Sequence, residues 1–169
     1  MERTKWTERS FSFEIPMGWM PNILERLQGT VVRIKEITRD VPDEILSRKP
    51  IGEWSIKEHI GHLTDLEELH DGRLHDFMAR RDTLRAADMD NLKTNEAFHN
   101  DKTIQELTDE FILQRKIFLH HLLEIDEATH QFEAMHPRLG VTMRPVDMAF
   151  FTAEHDDHHL ATIRQLINL

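Results

Sequence analysis

Cysteine is absent from the 169 residues, which excludes disulfides and thiolate-held metals within this chain. Glycine and proline are scarce, at six each, and are read as joints between long periodic segments. Basic residues are in deficit: Lys and Arg number 21 against 31 Asp and Glu, for a net charge of −10 with neutral histidines. That balance gives nucleic-acid phosphates no basic footprint and gives an anionic membrane surface no attraction. No stretch approaches the roughly 18 apolar residues of a membrane span. The opening "MERTKWTERSFSF" lacks the apolar centre of a signal peptide, so a cytoplasmic protein is expected.

What remains is soluble in composition, 39% hydrophobic and 31% charged, and sized for one domain over 1–169. The first 18 residues read as an irregular arm with aromatic alternation in "SFSFEIP". A first helix is expected from near Pro21 to about Asp40, since Ile23, Leu24, Leu27, Val31, Ile34 and Ile37 recur at helical spacing. Pro42 and Pro50 bracket a connector. Ser55 with Glu58, and Thr103 with Glu106, form capping boxes that open helices running to about Arg80 and Ile125. The polar segment 82–102 between them reads as a long loop with one helical turn, a covering segment of functional interest. "HPRLG" reads as a turn, and a last helix is expected from about Arg144 to Asn168. Four long helices predict an all-α four-helix bundle.

Twelve histidines are the outlying count, and three fall within "AEHDDHHLATI" (153–163). At about 100° per residue, His155 and His159 lie about 40° apart on one helix face, while His158 and His159 differ by about 100°. The pair 155/159 is therefore the chelating one, with His158 toward the flank. Met148, Phe151, Thr152, Thr162 and Leu166 share its face, which suits a bundle interior. Two imidazoles need a third ligand. "HDDHH" resembles a zinc-protease motif only superficially, because none of the ten residues after His159 is His, Asp or Glu. On the second helix, His62 lies at the border between the apolar stripe of Ile56, Ile60, Leu63 and Leu66 and a polar side with Glu58 and Asp65; His59 is the weaker candidate. One histidine from this helix and two from the last make a His₃ site with open coordination positions. Any one of these histidines alone is more often a surface or hydrogen-bonded core residue, and those at 70, 75, 99, 120, 121, 130 and 136 are read that way.

"GEWSIKEHIGHLTDLE" (52–67), "HPRLG" (136–140) and "AEHDDHHLATI" together resemble the DinB/YfiT-like superfamily of metal-dependent proteins, over roughly residues 20–169. The resemblance implies a four-helix bundle with a long crossover, frequent dimerisation, and metal ligands at His62, His155 and His159. Trp54 and Ser55 match the family's helix opening, a structural role. The chemistry it implies is hydrolysis, or transfer using a low-molecular-weight thiol such as bacillithiol or mycothiol, on a small-molecule substrate in detoxification or stress response. The competing expectation is a metal-binding or stress-associated bundle without turnover. One divalent ion is expected, zinc or nickel first, then iron or manganese, since imidazole suits several metals. Glu58, Asp65 and Asp156 are the carboxylates that stand as catalytic candidates, and Arg73, three turns along from His62, is a candidate for a substrate anion. Val146, Ala149, Phe150, Ala153 and Leu160 give the last helix a second apolar side, to be covered by the arm or by a second subunit in a homodimer.

Overall fold

Four long helices carry the chain: α1 (Met20–Thr38), α3 (Ile56–Met78), α5 (Ile104–Glu124) and α7 (Pro145–Ile167). Shorter elements join them: α2 (Asp43–Ser47), α4 (Leu92–Glu96), α6 (Glu127–His130), and a hairpin of β1 (Ala134–His136) and β2 (Val141–Met143). These come from a computed structural model that describes residues 3–168. The all-α four-helix bundle is the observed fold. Both capping boxes form: Ser55 Oγ accepts Glu58 N–H and Glu58 accepts Ser55 N–H, with Thr103 and Glu106 repeating the exchange. The connector between Pro42 and Pro50 contains α2, and "HPRLG" is the tip of the hairpin, registered Ala134↔Met143 to His136↔Val141.

The helix directions follow from which residues meet. Glu67 meets Arg115 and Asp71 meets His121, so α3 and α5 run parallel. Arg26 meets Glu154 while Arg33 meets Asp157, so α1 and α7 are parallel too. His59 meets His159 and His62 lies beside His155, so α3 and α7 are antiparallel. Two consecutive long helices that run parallel need a connection travelling back along the bundle. At 1.5 Å per residue, the 23 residues of α3 span about 34 Å, and this return is what segment 82–102 provides. Its length is thus a topological necessity as well as a cover.

The segment is fastened to α3 by side chains. Arg85 donates to Asp76 through Nε and Nη2 (both 3.0 Å), and His99 Nε2 donates to Asp65 (2.8 Å). Both docked groups lie on glycines: a Cβ at Gly61 would overlap the His99 ring, and one at Gly72 the Arg85 guanidinium. The reading of glycines as joints fails here, because these two sit inside α3 as notches for the crossover.

The arm contains two single 3₁₀ turns, Trp6–Glu8 and Met17–Trp19. Trp6 and Phe11 pack on Phe151 at 5.0 and 5.1 Å between centroids, and Glu14 and Ile15 N–H groups donate to Asp147. The second apolar side of α7 is covered within the chain. Ala149 and Ala153 belong to one cluster with Ile23 and Leu27 of α1 and with Ile15 of the arm, so bundle and arm together bury that side. Its apolarity is no argument for a second subunit.

The core comes in two parts. One holds Leu27, Leu74, Phe77, Phe118, Met148 and Ala149, the other Ile34, Ile60, Leu63, Phe111 and Ile163. Between them in every long helix lies one member of a buried polar layer: Thr30, Glu67, Arg115 and Asp156. Arg115 donates to Glu67 through Nε (3.0 Å) and Nη2 (2.6 Å), to Asp156 through Nη1 (2.6 Å), and to Leu27 carbonyl (3.0 Å). Thr30 Oγ donates to Asp156 at 2.7 Å.

Candidate metal centre

The bundle brings His62 from α3 together with His155 and His159 from α7. All three are buried, and one nitrogen from each ring lies within 4.8 Å of the others. His155 Nε2 and His159 Nε2 are 3.1 Å apart, near the ~3.3 Å separation of two nitrogens bound at ~2.0–2.1 Å to a tetrahedral ion. Burial, then the neighbouring His155, pushes His62 down to about 3. Burial also takes His155 to about 3 and His159 well below its ordinary value. The rings are therefore neutral at physiological pH, the form in which imidazole offers a lone pair.

Hydrogen bonds around the trio define which nitrogens are free. Asp65 is ionised: burial works against its charge, but bonds from His99 and Thr94 hold it below the usual range. It can only accept, so Thr94 donates to it at 2.9 Å, and the Thr94 oxygen accepts Nδ1–H of His62 at 3.0 Å. His62 Nε2 is left with its lone pair, the arrangement of a ligand whose second nitrogen is held by an outer carboxylate. His159 Nδ1 meets His59 Nδ1 at 2.8 Å, with its own Nε2 toward His155. His59 thus touches a trio member rather than joining the trio. Trp54 covers the group, 4.6 Å from the His62 ring, with its indole N–H donated to Asn95. His155 Nδ1 has no hydrogen-bond partner among the described residues and its ring stands edge-on to Trp6 at 4.9 Å. His158 lies on the flank, held by Arg3, which also donates to Thr162 at 2.6 Å.

The other candidates separate. Glu58 is engaged by the Ser55 N–H and by Lys49 at 2.8 Å, at the helix opening. Asp156 sits next to His155 in sequence but turns into the Arg115 layer. Neither carboxylate lines the cavity at the histidines. Asp65 acts on the site through Thr94. Arg73 lines the same cavity as the trio. Sequence reasoning missed Thr94, His99 and the hairpin residues His136 and Arg138, which reach the site from the crossover and the hairpin, whose short elements no periodicity reveals. It also left His75 and His121 unlinked, whereas with Asp71 they form a second, more exposed group of donors between α3 and α5.

The sequence matches the DinB superfamily over residues 26–163. Among curated proteins no relative matches. Two solved structures share the fold. YfiT from Bacillus subtilis, described as a probable metal-dependent hydrolase with an unusual four-helix bundle topology, is 15% identical, with a TM-score of 0.75 over 94% of this chain and 91% of its own. A mycothiol-dependent maleylpyruvate isomerase is 10% identical, with a TM-score of 0.69 over 89% of this chain. The aligned region spans 61% of that isomerase.

Proposed function

This chain belongs to the DinB superfamily, and from that premise we propose that it is a metal-dependent enzyme acting on a small molecule, a hydrolase or a low-molecular-weight-thiol S-transferase. His62, His155 and His159 would hold one divalent ion, zinc or nickel first. The observation that carries the reading is the convergence of three buried, neutral imidazoles from two helices, with the His62 Nδ1–H committed to Thr94. A divalent ion there would supply Lewis acidity that makes water or a thiol nucleophilic near neutral pH.

The chain's own residues do the rest. Asp65 and Thr94 orient His62, and His59 fixes the free nitrogen of His159. Trp6, Trp54 and Phe151 exclude water from the cavity beside the trio. Among the described residues the cavity's one carboxylate, Asp88, accepts the backbone N–H groups of Asp90 and Leu92, so no free carboxylate base stands ready at the trio. This favours chemistry in which the ion itself acidifies the nucleophile, as it does equally for water and for a thiol. A single domain over 1–169, a homodimer and a cytoplasmic setting belong to the same proposal; light scattering checks the dimer.

The test is elemental analysis of untagged protein purified without added metal, for wild type, His62→Ala and His159→Ala. About one ion per chain, lost in both variants with helical content kept, is the expected result. Metal retained in both variants would place it elsewhere, for instance at Asp71, His75 and His121. A wild type that neither contains nor takes up zinc, nickel or iron removes the proposal.

A further inference from the structure

The cavity that the three histidines line, about 240 Å³, also receives Arg73 from α3 and His136 and Arg138 from the hairpin. Arg73 is only 3% exposed. Its Nε donates to the Arg85 carbonyl at 3.1 Å, but its Nη2 has no partner among the described residues. The acid one turn on, Asp76, is occupied by Arg85 and, at 3.4 Å, by Arg81. Arg138 is half-buried and forms no hydrogen bond or ion pair among the described residues; its guanidinium lies 5.9 Å from the Phe151 ring centre. His136 Nδ1 accepts the Leu139 N–H at 3.3 Å, which puts its proton on Nε2, and that buried N–H is also without a partner among the described residues.

Two guanidinium groups and an imidazole N–H therefore converge without an anion, in a protein whose net charge is −10. The strain between them is visible. Burial and then Arg138 lower Arg73 to about 10, and burial, then Arg73 and Arg138, lower His136 to about 4. A buried cation without a counter-charge is costly, and the usual resolution is a bound anion. Among the described residues that line the cavity the only carboxylate, Asp88, is tied to its own loop.

We propose that this pocket takes a substrate carboxylate on Arg73, Arg138 and the His136 Nε2–H, on the wall it shares with the three histidines. The substrate class is a carboxylic acid with a compact apolar body, matched to Trp54, Leu66 and Phe151. The inference deepens the reading of the histidine trio as a catalytic centre, yet the anion's own ligands are independent of any metal.

The test uses full-length protein stripped with a chelator, and separately loaded with zinc, titrated calorimetrically with benzoate, with its neutral isostere benzamide, and with phenyl phosphate. Benzoate is expected to bind the stripped protein at least tenfold tighter than benzamide. Arg138→Gln should weaken benzoate at least tenfold while leaving benzamide unchanged. Arg73→Gln should do the same, but Arg73 is packed in α3, so Arg138→Gln, with no partner to lose, is the decisive variant. Equal binding of benzoate and benzamide, or benzoate binding indifferent to Arg138→Gln, overturns the proposal. Phenyl phosphate binding tighter than benzoate overturns the carboxylate class. Because the stripped protein carries the readout, failure of metal uptake leaves this result standing, and loss of benzoate binding leaves the metal test standing.

Discussion

Glu67→Gln isolates the electrostatics of the buried layer. One guanidinium, Arg115, serves two buried carboxylates, so the layer carries one negative charge more than it can neutralise. Burial, opposed by Arg115 and reinforced by Asp156, raises Glu67 from 4.5 to about 7. Between those two values the native chain keeps a proton that the unfolded chain has released. The layer's stability is therefore full below about 4.5 and declines as pH rises through 7. Over that span, at ~1.36 kcal/mol per pH unit, the loss reaches about 3 kcal/mol. Glutamine keeps the neutral acid's shape and one of its two acceptors for Arg115, so its lost hydrogen bond adds an offset that does not change with pH. The stability difference between Glu67→Gln and wild type should therefore move in the variant's favour by about 2–3 kcal/mol between pH 5 and pH 8. Urea melts followed by far-ultraviolet dichroism at half-unit intervals would trace it, since titrating groups remote from the layer cancel in the difference. A difference that stays flat between pH 5 and pH 8 would refute the excess charge. The partner variant Arg115→Met strands both carboxylates and should lose about 3–5 kcal/mol at pH 7.

Other consequences are equally open to measurement. Thr94→Val breaks the link from Asp65 to His62 and should weaken zinc binding about 10–100-fold in a chelator competition, with helical content unchanged. Unaltered affinity would show that Thr94 does not orient the ring. Gly61→Ala gains about 1 kcal/mol of helix propensity yet should lower the melting temperature, because the His99 ring occupies the space of the new methyl group. A higher melting temperature would mean His99 is not docked there. Gly72→Ala meets only the tip of Arg85, which can swing aside, and should cost less than Gly61→Ala on the same melt.

What the sequence made legible was local. The pairs Ser55–Glu58 and Thr103–Glu106 lie three residues apart and announce their helices directly. His155 and His159 share a face by helix geometry alone. The buried layer was invisible, because nothing in the sequence singled out Glu67 or Arg115, Asp156 stood only as a catalytic candidate beside His155, and the three meet only across helices. His59, on the far side of the apolar stripe, looked secondary until α7 placed His159 against it. The hairpin strands, three residues each, are too short for alternation to show, so His136 and Arg138 had no signal placing them beside Arg73.

The placement of the trio also sets a chronology. His62 lies about 90 positions ahead of His155 and His159, on a helix that meets them only after α7 has docked antiparallel to it. At the ~5–20 residues per second of synthesis, about 5–18 s separate the first histidine from the other two. Helical content can rise in that interval without any site to fill. An ion entering at His62, His155 and His159 would report the arrival of the last helix rather than the formation of the first. With cobalt or nickel as the probe, the onset of visible absorption in a refolding experiment would time that docking separately from the growth of helix.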